Sequence, residues 1–406
     1  MLTRYMIGAL ASRTGDEMSG PALLVAGLAV TGSPVLASAL LAGLTVSAAV
    51  GGPLLGVLLD RTRRPGRVLG WCLAGYGAGL LVVLAGLGRL PDAALIGVAV
   101  LTGLLGPSLN GGWTAQLPLV VPDGRLPRAN ALDAMSYNVA GLAGPALAGL
   151  IAAVVSGQAA VAASVALLVA ALPAAWVLPR RRERREQAGA VRAEIAAGFR
   201  AIVRNRSLRR ATVASMISMA GVAMLVVTAP LLGLRLAGDA GYGALLLAVT
   251  AGAALAANAV VARAGTRWRW DTVLVVSTLL IGAGTALAAL AGSFAVAVAA
   301  AVVAGVGEGP QLTALFAVRH REAPERLRSQ VFTTGASLKI TSFAAGSALA
   351  GPLAAHSPAV ALLAGAGVQL LAVAAYGLLS LPRRPEERHQ EGPVVVEDDQ
   401  AGRVER

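Results

Sequence analysis

The chain has 406 residues, of which 56% are apolar and only 14% are charged. A soluble domain of average composition carries roughly a quarter charged residues, which excludes a soluble globular protein, and disorder is excluded because it requires low hydrophobicity. The net charge of +13 does not indicate nucleic acid binding, since the basic residues stand between apolar runs with almost no aromatic residues among them. The composition indicates a polytopic membrane protein.

Twelve apolar runs follow one another along the chain, and each is long enough to cross a bilayer as a helix of about 20 residues. Strands are excluded because they would be about 10 residues long with alternating polarity. The predicted spans are 5–31, 35–59, 67–88, 93–118, 129–155, 158–178, 211–234, 241–262, 272–291, 294–318, 329–354 and 358–380. The predicted fold class is therefore an all-α membrane protein with twelve transmembrane helices.

Arginine residues concentrate in alternate joints between these spans. The joints on the opposite side contain only Arg89 and Arg235. Because positively charged loops stay in the cytoplasm, we expect both termini to be cytoplasmic. Arginine outnumbers lysine 33 to 1, a bias typical of a high-GC bacterial genome, so we expect the bacterial cytoplasmic membrane. A cleavable signal peptide is not expected, since the first apolar run contains Asp16 and Glu17.

A basic segment divides the chain into two halves. Residues 179–210 contain eleven arginines and three glutamates, and Val191, Ile195, Phe199 and Ile202 recur there at helical spacing. The segment is either an amphipathic helix on the inner leaflet, with arginines that reach anionic lipid head groups, or a solvated linker. The predicted domains are a six-helix bundle at 1–178, the linker at 179–210, a second six-helix bundle at 211–382 and a disordered cytoplasmic tail at 383–406.

An internal repeat relates the two halves. Residues 106–109 (Gly-Pro-Ser-Leu) return as 309–312 (Gly-Pro-Gln-Leu), and residues 144–149 return in similar form as 346–351. These matches relate span 4 to span 10 and span 5 to span 11. Two homologous six-helix halves are the architecture of a transporter that binds its substrate between them. We therefore expect a pseudo-symmetric transporter with a small-molecule substrate.

A basic motif follows the second span, Gly56-Val57-Leu58-Leu59-Asp60-Arg61-Thr62-Arg63-Arg64. It resembles the loop signature of the major facilitator superfamily, Gly-x-x-x-Asp-Arg followed by a basic pair. Residues 12–16 (Ser-Arg-Thr-Gly-Asp) and 128–132 (Arg-Ala-Asn-Ala-Leu) are similar to the bacterial multidrug and macrolide-efflux branch of that superfamily. The resemblance covers residues 1 to about 382, and it implies an exporter that works by rocker-switch alternating access.

The resemblance also assigns motif residues. A cytoplasmic gating motif is expected from Gly56, Asp60, Arg61, Arg64 and Asp133. Asp60 can accept bonds from Arg61, from Arg64 or from the N-terminus of an opposing helix, and Asp133 is expected to bond Arg61 or Arg64. The alternative is that these arginines only determine topology. A glycine-proline motif in span 5 is similar to that of exporters and comprises Gly141, Gly144, Pro145 and Gly149.

Ionisable residues inside the spans are functional candidates by default. Arg13 precedes Asp16 by three positions and Glu17 by four, so it can reach either acid. One negative charge then remains for a proton or a cationic substrate, unless the cluster is purely structural. Glu308 in span 10 suits a proton carrier, and its flanking glycines and proline predict an irregular or bent helix. It can instead pair statically with Lys339, the only lysine in the chain.

Six further side chains are candidates to line a cavity, with core packing as the alternative and favoured for the methionines. They are Asn110, Trp113, Gln116, Met216, Met219 and Met224. We expect no metal, because the three histidines form no ligand constellation, and no ATP, because no Walker-type loop occurs. No catalytic arrangement is present, so an enzyme is not expected.

The predicted function is export of small lipophilic compounds, either drugs or secondary metabolites, by proton antiport. An apolar cavity with few charges suits such compounds better than sugars. The alternatives are a narrow-specificity metabolite exporter or a proton-coupled importer of the same fold, and a non-transporting membrane receptor. The expected partners are the substrate, protons driven by their gradient, and a bilayer with anionic inner-leaflet lipids. We expect the protein to be a monomer and to bind no nucleic acid.

Overall fold

The computed structural model describes residues 1–181, 190–239, 241–264 and 269–380, and the regular secondary structure in these ranges is entirely helical. The helices are α1 (Leu2–Thr31), α2 (Pro34–Val46), α3 (Ala48–Arg61), α4 (Pro65–Gly86), α5 (Asp92–Gly103), α6 (Leu126–Val154), α7 (Gly157–Trp176), α8 (Val191–Arg204), α9 (Arg206–Ala237), α10 (Gly241–Ala264), α11 (Trp270–Ala289), α12 (Phe294–Glu322), α13 (Arg328–His356) and α14 (Pro358–Leu378).

Twelve spans are built from these helices. Ten stretches are long and apolar enough to cross a membrane by length and composition, and α1 and α13 add two more helices of 30 and 29 residues. Span 2 consists of α2 and α3, span 4 consists of α5 and the irregular turns that follow it, and α8 lies between spans 6 and 7. Every other span is a single helix. The prediction of an all-α membrane fold with twelve spans in two halves is confirmed.

Three spans differ in detail from the prediction. Span 2 is divided at Ser47, and span 4 changes to a π-helical turn over Ser108–Gly112, where the preceding proline has no N–H to donate to the previous turn. Span 7 begins at Arg206, before the predicted residue 211, because the Asn205 side chain accepts a hydrogen bond of 3.0 Å from the Leu208 amide and caps the helix.

Span 10 was predicted to be irregular or bent around Glu308, and the irregular alternative was wrong, because α12 remains helical from Phe294 to Glu322. The glycines there serve close packing instead. A Cβ atom at Gly305 would lie 2.2 Å from the Thr250 carbonyl oxygen, and one at Gly309 would lie 2.3 Å from the Ala254 carbonyl oxygen. Small residues let helix backbones approach closely in a membrane, and these two hold span 10 against span 8.

The two halves meet at the end of the bundle where Met1 and Ser380 lie, which we call the termini end. An apolar cluster joins them there, with Ala115, Ala134 and Tyr137 from the first half and Phe316 and Phe332 from the second.

Hydrogen bonds reinforce this contact. The Thr333 hydroxyl donates to the Gly52 carbonyl at 2.6 Å, and the Ser337 hydroxyl donates to the Ala48 carbonyl. Farther from the termini end than Ser337, no hydrogen bond joins the halves within the described ranges. The halves are therefore sealed at the termini end, and we call this contact the seal.

The linker contains a helix, α8, that packs on the protein at the termini end. Its buried residues are Glu194, Gly198 and Ile202, whereas Val191 and Phe199 of the predicted apolar face are 42% and 39% exposed. The Gln330 side chain of span 11 donates to the Glu194 carbonyl at 2.9 Å, which fixes α8 to the second half. The linker residues 182–189 and the predicted disordered tail 383–406 lie outside the described residues.

Candidate functional site

A fully buried ion pair connects span 1 with span 5. The Arg13 guanidinium lies 2.9 Å from a carboxylate oxygen of Asp133, and both side chains are 0% exposed. Asp133 also accepts hydrogen bonds from the Tyr5 hydroxyl at 3.0 Å and from the Thr114 hydroxyl at 2.8 Å. The guanidinium carbon stands 3.8 Å from the ring centroid of Tyr137. Both charges are thus paired and hydrogen-bonded, as buried charges must be.

This pair corrects two expectations. Arg13 was expected to pair with Asp16 or Glu17, and Asp133 with Arg61 or Arg64, and both were wrong. Sequence spacing along one helix favoured the local partners, whereas the Arg13 side chain leaves span 1 toward span 5. The two acids of span 1 are consequently left without the cation that was assigned to them.

Asp16 and Glu17 lie on span 1, farther from the termini end than the buried pair. Asp16 is half-buried and accepts a hydrogen bond of 2.7 Å from the Asn110 side-chain amide of span 4. Glu17 is exposed. Among the described residues, neither acid has an ion-pair partner within 4.0 Å. The first half therefore presents two uncompensated carboxylates.

The second half places Glu308 of span 10 and Lys339 of span 11 within electrostatic range of each other, and both are half-buried. The static pairing considered from the sequence is not formed, since no ion pair within 4.0 Å joins them in the part of the chain that the structure describes. Arg319 also lies within electrostatic range of Lys339. Each half thus contributes ionisable groups inside its spans that form no ion pair within the described ranges.

Asp60 joins span 2 to the N-terminus of span 11 across the seal. Its two carboxylate oxygens accept the backbone amides of Ser329 and Gln330 at 2.9 Å each, and Arg181 approaches one of them at 3.2 Å. A carboxylate at a helix N-terminus is favoured by the helix dipole and by its free N–H groups. The sequence offered Arg61, Arg64 or the N-terminus of an opposing helix as partners of Asp60, and the structure shows the opposing helix, span 11.

The other motif residues surround this contact. Gly56 permits the close approach of span 11, since a Cβ there would lie 2.4 Å from the Gln330 Cα atom. Arg61 pairs with Glu194 of α8 at 2.9 Å. Arg64 stands among other arginines, and Arg180 and Arg67 lower the pKa of its guanidinium below the ordinary value.

The cavity candidates separate into different environments. Trp113 is 0% exposed and packs edge-on against Tyr5 at 5.6 Å, so it belongs to the core of the first half. Gln116 is also 0% exposed and donates to the Ser329 hydroxyl at 3.1 Å, which places it in the seal. Met224 is a core residue at 3% exposure, whereas Met216 and Met219 are half-buried. Asn110 alone of the six bonds an intramembrane acid.

The glycine-proline motif makes one close contact. A Cβ atom at Gly144 would lie 2.6 Å from the Glu17 Cβ atom, whereas Gly141 and Gly149 have no atom within 4 Å of such a position. Pro145 lies inside α6. Gly144 is therefore the motif residue that sets the distance between span 5 and the acidic part of span 1.

Two arginines of this region were missed as site residues. Arg181 donates to the Gln116 side chain at 3.1 Å and to the Ser329 hydroxyl at 2.9 Å, but in the sequence it is one of many arginines in a basic run. Arg319 is only 2% exposed, although the sequence placed it in a loop after a span predicted to end at 318. The helical spacing of Leu312, Phe316 and Arg319 was the available signal.

Comparison with known proteins places this arrangement in a family. The family model described as Major Facilitator Superfamily matches residues 5–333. The uncharacterised MFS-type transporter y4rN of Sinorhizobium fredii is 34% identical over 149 residues, a match that covers 36% of this chain and 37% of that relative. The chain thus matches little more than a third of the length of this curated relative.

Solved structures share the fold along nearly the whole chain. The human organic anion transporter MFSD10 superposes with a TM-score of 0.75 at 16% identity and covers 92% of this chain and 98% of its own. The Escherichia coli fucose:proton symporter FucP gives 0.74 at 13% identity, with 94% and 98% covered. A bacterial homologue of the iron transporter ferroportin, in an outward-facing state, gives 0.74 at 15% identity, with 93% and 99% covered. At these identities the likeness shows the fold alone.

Proposed function

Because the chain belongs to the Major Facilitator Superfamily, whose members are transporters, we propose that it exports small lipophilic compounds by proton antiport. The observation that carries this proposal is the set of ionisable side chains inside the spans that are neither fully buried nor ion-paired within the described ranges. They are Asp16, Glu17, Glu308 and Lys339. Such groups are costly inside a membrane and persist where they serve a substrate or a proton.

The position of the seal supports alternating access. All hydrogen bonds between the two halves in the described ranges lie at the termini end, and the acids lie beyond them. If the arginine-rich loops face the cytoplasm, this state is closed on the cytoplasmic side. Rocking of the halves about the acids would then expose the same groups to the cytoplasm.

The composition of the spans supports a lipophilic substrate. The described charged side chains near the centre of the bundle are few, and the buried pair of Arg13 and Asp133 is already neutralised. A mostly apolar site with a small number of polar groups suits compounds with large apolar surfaces. Protons are the natural coupling ion for carboxylates that have no permanent cation beside them, and Asp16 and Glu308 are the two we assign to this role.

The proposal is tested in inside-out vesicles from a host that lacks its own efflux pumps, with the vesicle interior made acidic. Lipophilic cations, neutral macrocycles and lipophilic acids are added in turn, and internal pH is followed. Proton release that requires this protein would support drug–proton antiport and identify a substrate class. Absence of proton release for every class, with folded protein in the vesicles, would contradict multidrug antiport and favour a narrow metabolite carrier or an importer.

A further inference from the structure

Arg319 is a buried cation with unsatisfied donors. Its side chain is 2% exposed, and its Nε and Nη2 atoms have no hydrogen-bond partner among the residues that the structure describes. Its ring contact is with Phe332, whose centroid is 5.8 Å from the guanidinium carbon. A buried guanidinium without an acid is unfavourable by several kcal/mol in a protein interior, so this arrangement calls for an anion that the described residues do not supply.

The position of the guanidinium relative to span 11 is fixed by a glycine. A Cβ atom at Gly335 would lie 2.3 Å from Arg319 Nη2, so the guanidinium rests directly on the backbone of span 11 at this residue. Lys339 is one helical turn farther along the same face, and residues four apart on a helix are separated by about 5–6 Å at their Cβ atoms. Two cations therefore lie side by side in the second half.

The charges around this pair do not balance. Glu308 is the acid that interacts electrostatically with Lys339, and it forms no ion pair within 4.0 Å in the described structure. Tyr137 of span 5 interacts electrostatically with Arg319, but a phenol is neutral near pH 7 and adds no negative charge. His320 follows Arg319 and is also buried. The net charge of the cluster is positive even with Glu308 ionised.

We propose that Lys339 and Arg319 form an anion subsite that binds the carboxylate of a lipophilic substrate. Lys339 is half-buried and would meet the anion first, and Arg319, deeper toward the seal, supplies the second positive charge. The inference rests on the proposed function in one respect, that the substrate binds between the halves. It adds that the substrate is an organic acid.

The opposite wall gives the substrate its orientation. Asp16 and Glu17 of the first half repel a carboxylate, so the acidic group of the substrate is expected to face the second half. Glu308 competes with the substrate for Lys339, because both are anions. Neutralising Glu308 therefore strengthens substrate binding at this subsite.

The test measures binding to the purified full-length protein and needs no proton gradient. The probes are 4-phenylbutyrate, 4-phenylbutyramide and 4-phenylbutylamine, which share one apolar body and differ in the charge of one group. We expect the carboxylate to bind about tenfold or more tightly than the amide, since hydrogen bonds to a charged group contribute about 1.5–3 kcal/mol. Lys339→Gln and Arg319→Gln should each remove most of this preference, and Glu308→Gln should increase it.

Controls separate the subsite from a structural role. Arg319→Lys keeps the charge and should keep part of the preference, and Arg89→Gln at the far end of the bundle should change nothing. Because Nε and Nη2 of Arg319 make no hydrogen bond within the described ranges, Arg319→Gln should not lower the melting temperature, whereas removal of an arginine paired with a buried acid would destabilise the protein.

Three results would overturn the proposal. The first is equal affinity for the acid and the amide, or tighter binding of the amine. The second is a preference for the acid that survives in the Lys339→Gln, Arg319→Gln double variant. The third is a response to chloride alone without any to 4-phenylbutyrate, which would indicate a site for inorganic anions. These binding measurements do not depend on the result of the vesicle experiment. The proposal of proton antiport and the proposal of an anion subsite can therefore be refuted independently.

Discussion

The guanidinium of Arg13 and the carboxylate of Asp133 lie 2.9 Å apart with both side chains fully buried, and they connect span 1 to span 5. The two residues are 120 positions apart in the chain. Hydroxyl groups of Tyr5 and Thr114 occupy the remaining acceptor positions of Asp133. The first half is thus tied together by charge at its centre, and spans 1 and 5 are expected to move as one body.

Removing either member of this pair should destabilise the protein severely. Arg13→Gln or Asp133→Asn leaves the other charge buried and unpaired, which is expected to lower the free energy of unfolding by about 3–5 kcal/mol. The double variant Arg13→Met, Asp133→Leu should recover much of this loss, because no charge is left behind. Thermal melting of the purified protein, followed by size-exclusion chromatography, measures the effect. Single variants that melt as the native chain does would show that the pair contributes nothing.

The spans could be predicted from the sequence because apolar length is a local property, but the ion pairs could not. Local spacing favoured pairing of Arg13 with Asp16 or Glu17, and it gives no information on where a side chain leaves its helix. Whether Asp133 lies deep or near the surface depends on how span 5 packs against span 1. The helix ends depend on caps such as Asn205, whose contribution of about 1 kcal/mol is invisible to a hydropathy window.

The motif around Asp60 was predictable in part. Its charge at the end of span 2 indicated that it could meet an opposing helix N-terminus, but the identity of that helix required the structure, since Ser329 and Gln330 are 269 and 270 residues away. The burial of Arg319 was not predicted from the sequence. Its sequence position suggested a loop, because a charged residue after a hydrophobic run is normally exposed, and only the longer α12 places it inside the protein.

Asp60→Asn should weaken the seal. The asparagine has no charge to interact with the N-terminus of span 11 and one fewer acceptor oxygen, so the seal loses about 1–3 kcal/mol. This loss corresponds to a change of roughly 5-fold to 160-fold in the population of the state open at the termini end. To measure this population, Ala134 is replaced by cysteine in a chain that carries Cys72→Ser. The rate at which a membrane-impermeant maleimide modifies this cysteine in inside-out vesicles reports how often the termini end is open.

The matched control for the seal is Asp92→Asn, which removes an exposed carboxylate from the far end of the bundle. It should leave the maleimide reaction at position 134 unchanged. An Asp60→Asn chain that reacts no faster than the control would contradict a role for Asp60 in closing the termini end.

Gly144→Ala should impair transport, whereas Gly141→Ala and Gly149→Ala should not. The new methyl group at position 144 would lie 2.6 Å from the Glu17 Cβ atom and would push spans 1 and 5 apart, but nothing lies within 4 Å at the other two positions. Exposed helix positions usually tolerate this substitution within about 0.5 kcal/mol. The initial transport rates of the three variants are measured and compared at equal expression. Equal rates for all three would exclude a special role for Gly144.

Removing the charge of Glu308 or of Asp16 should uncouple transport from protons without abolishing substrate movement. Glu308→Gln and Asp16→Asn keep nearly the shape of each side chain but bind no exchangeable proton, so the carrier can still rock with substrate but cannot exchange it for a proton. We expect substrate-driven proton release in vesicles to fall to the background, while exchange of labelled for unlabelled substrate without a gradient persists. Glu325→Gln, at an exposed position next to span 11, is the matched control and should release protons normally. Normal proton release by Glu308→Gln would remove that residue from the coupling role and leave Asp16 to carry it.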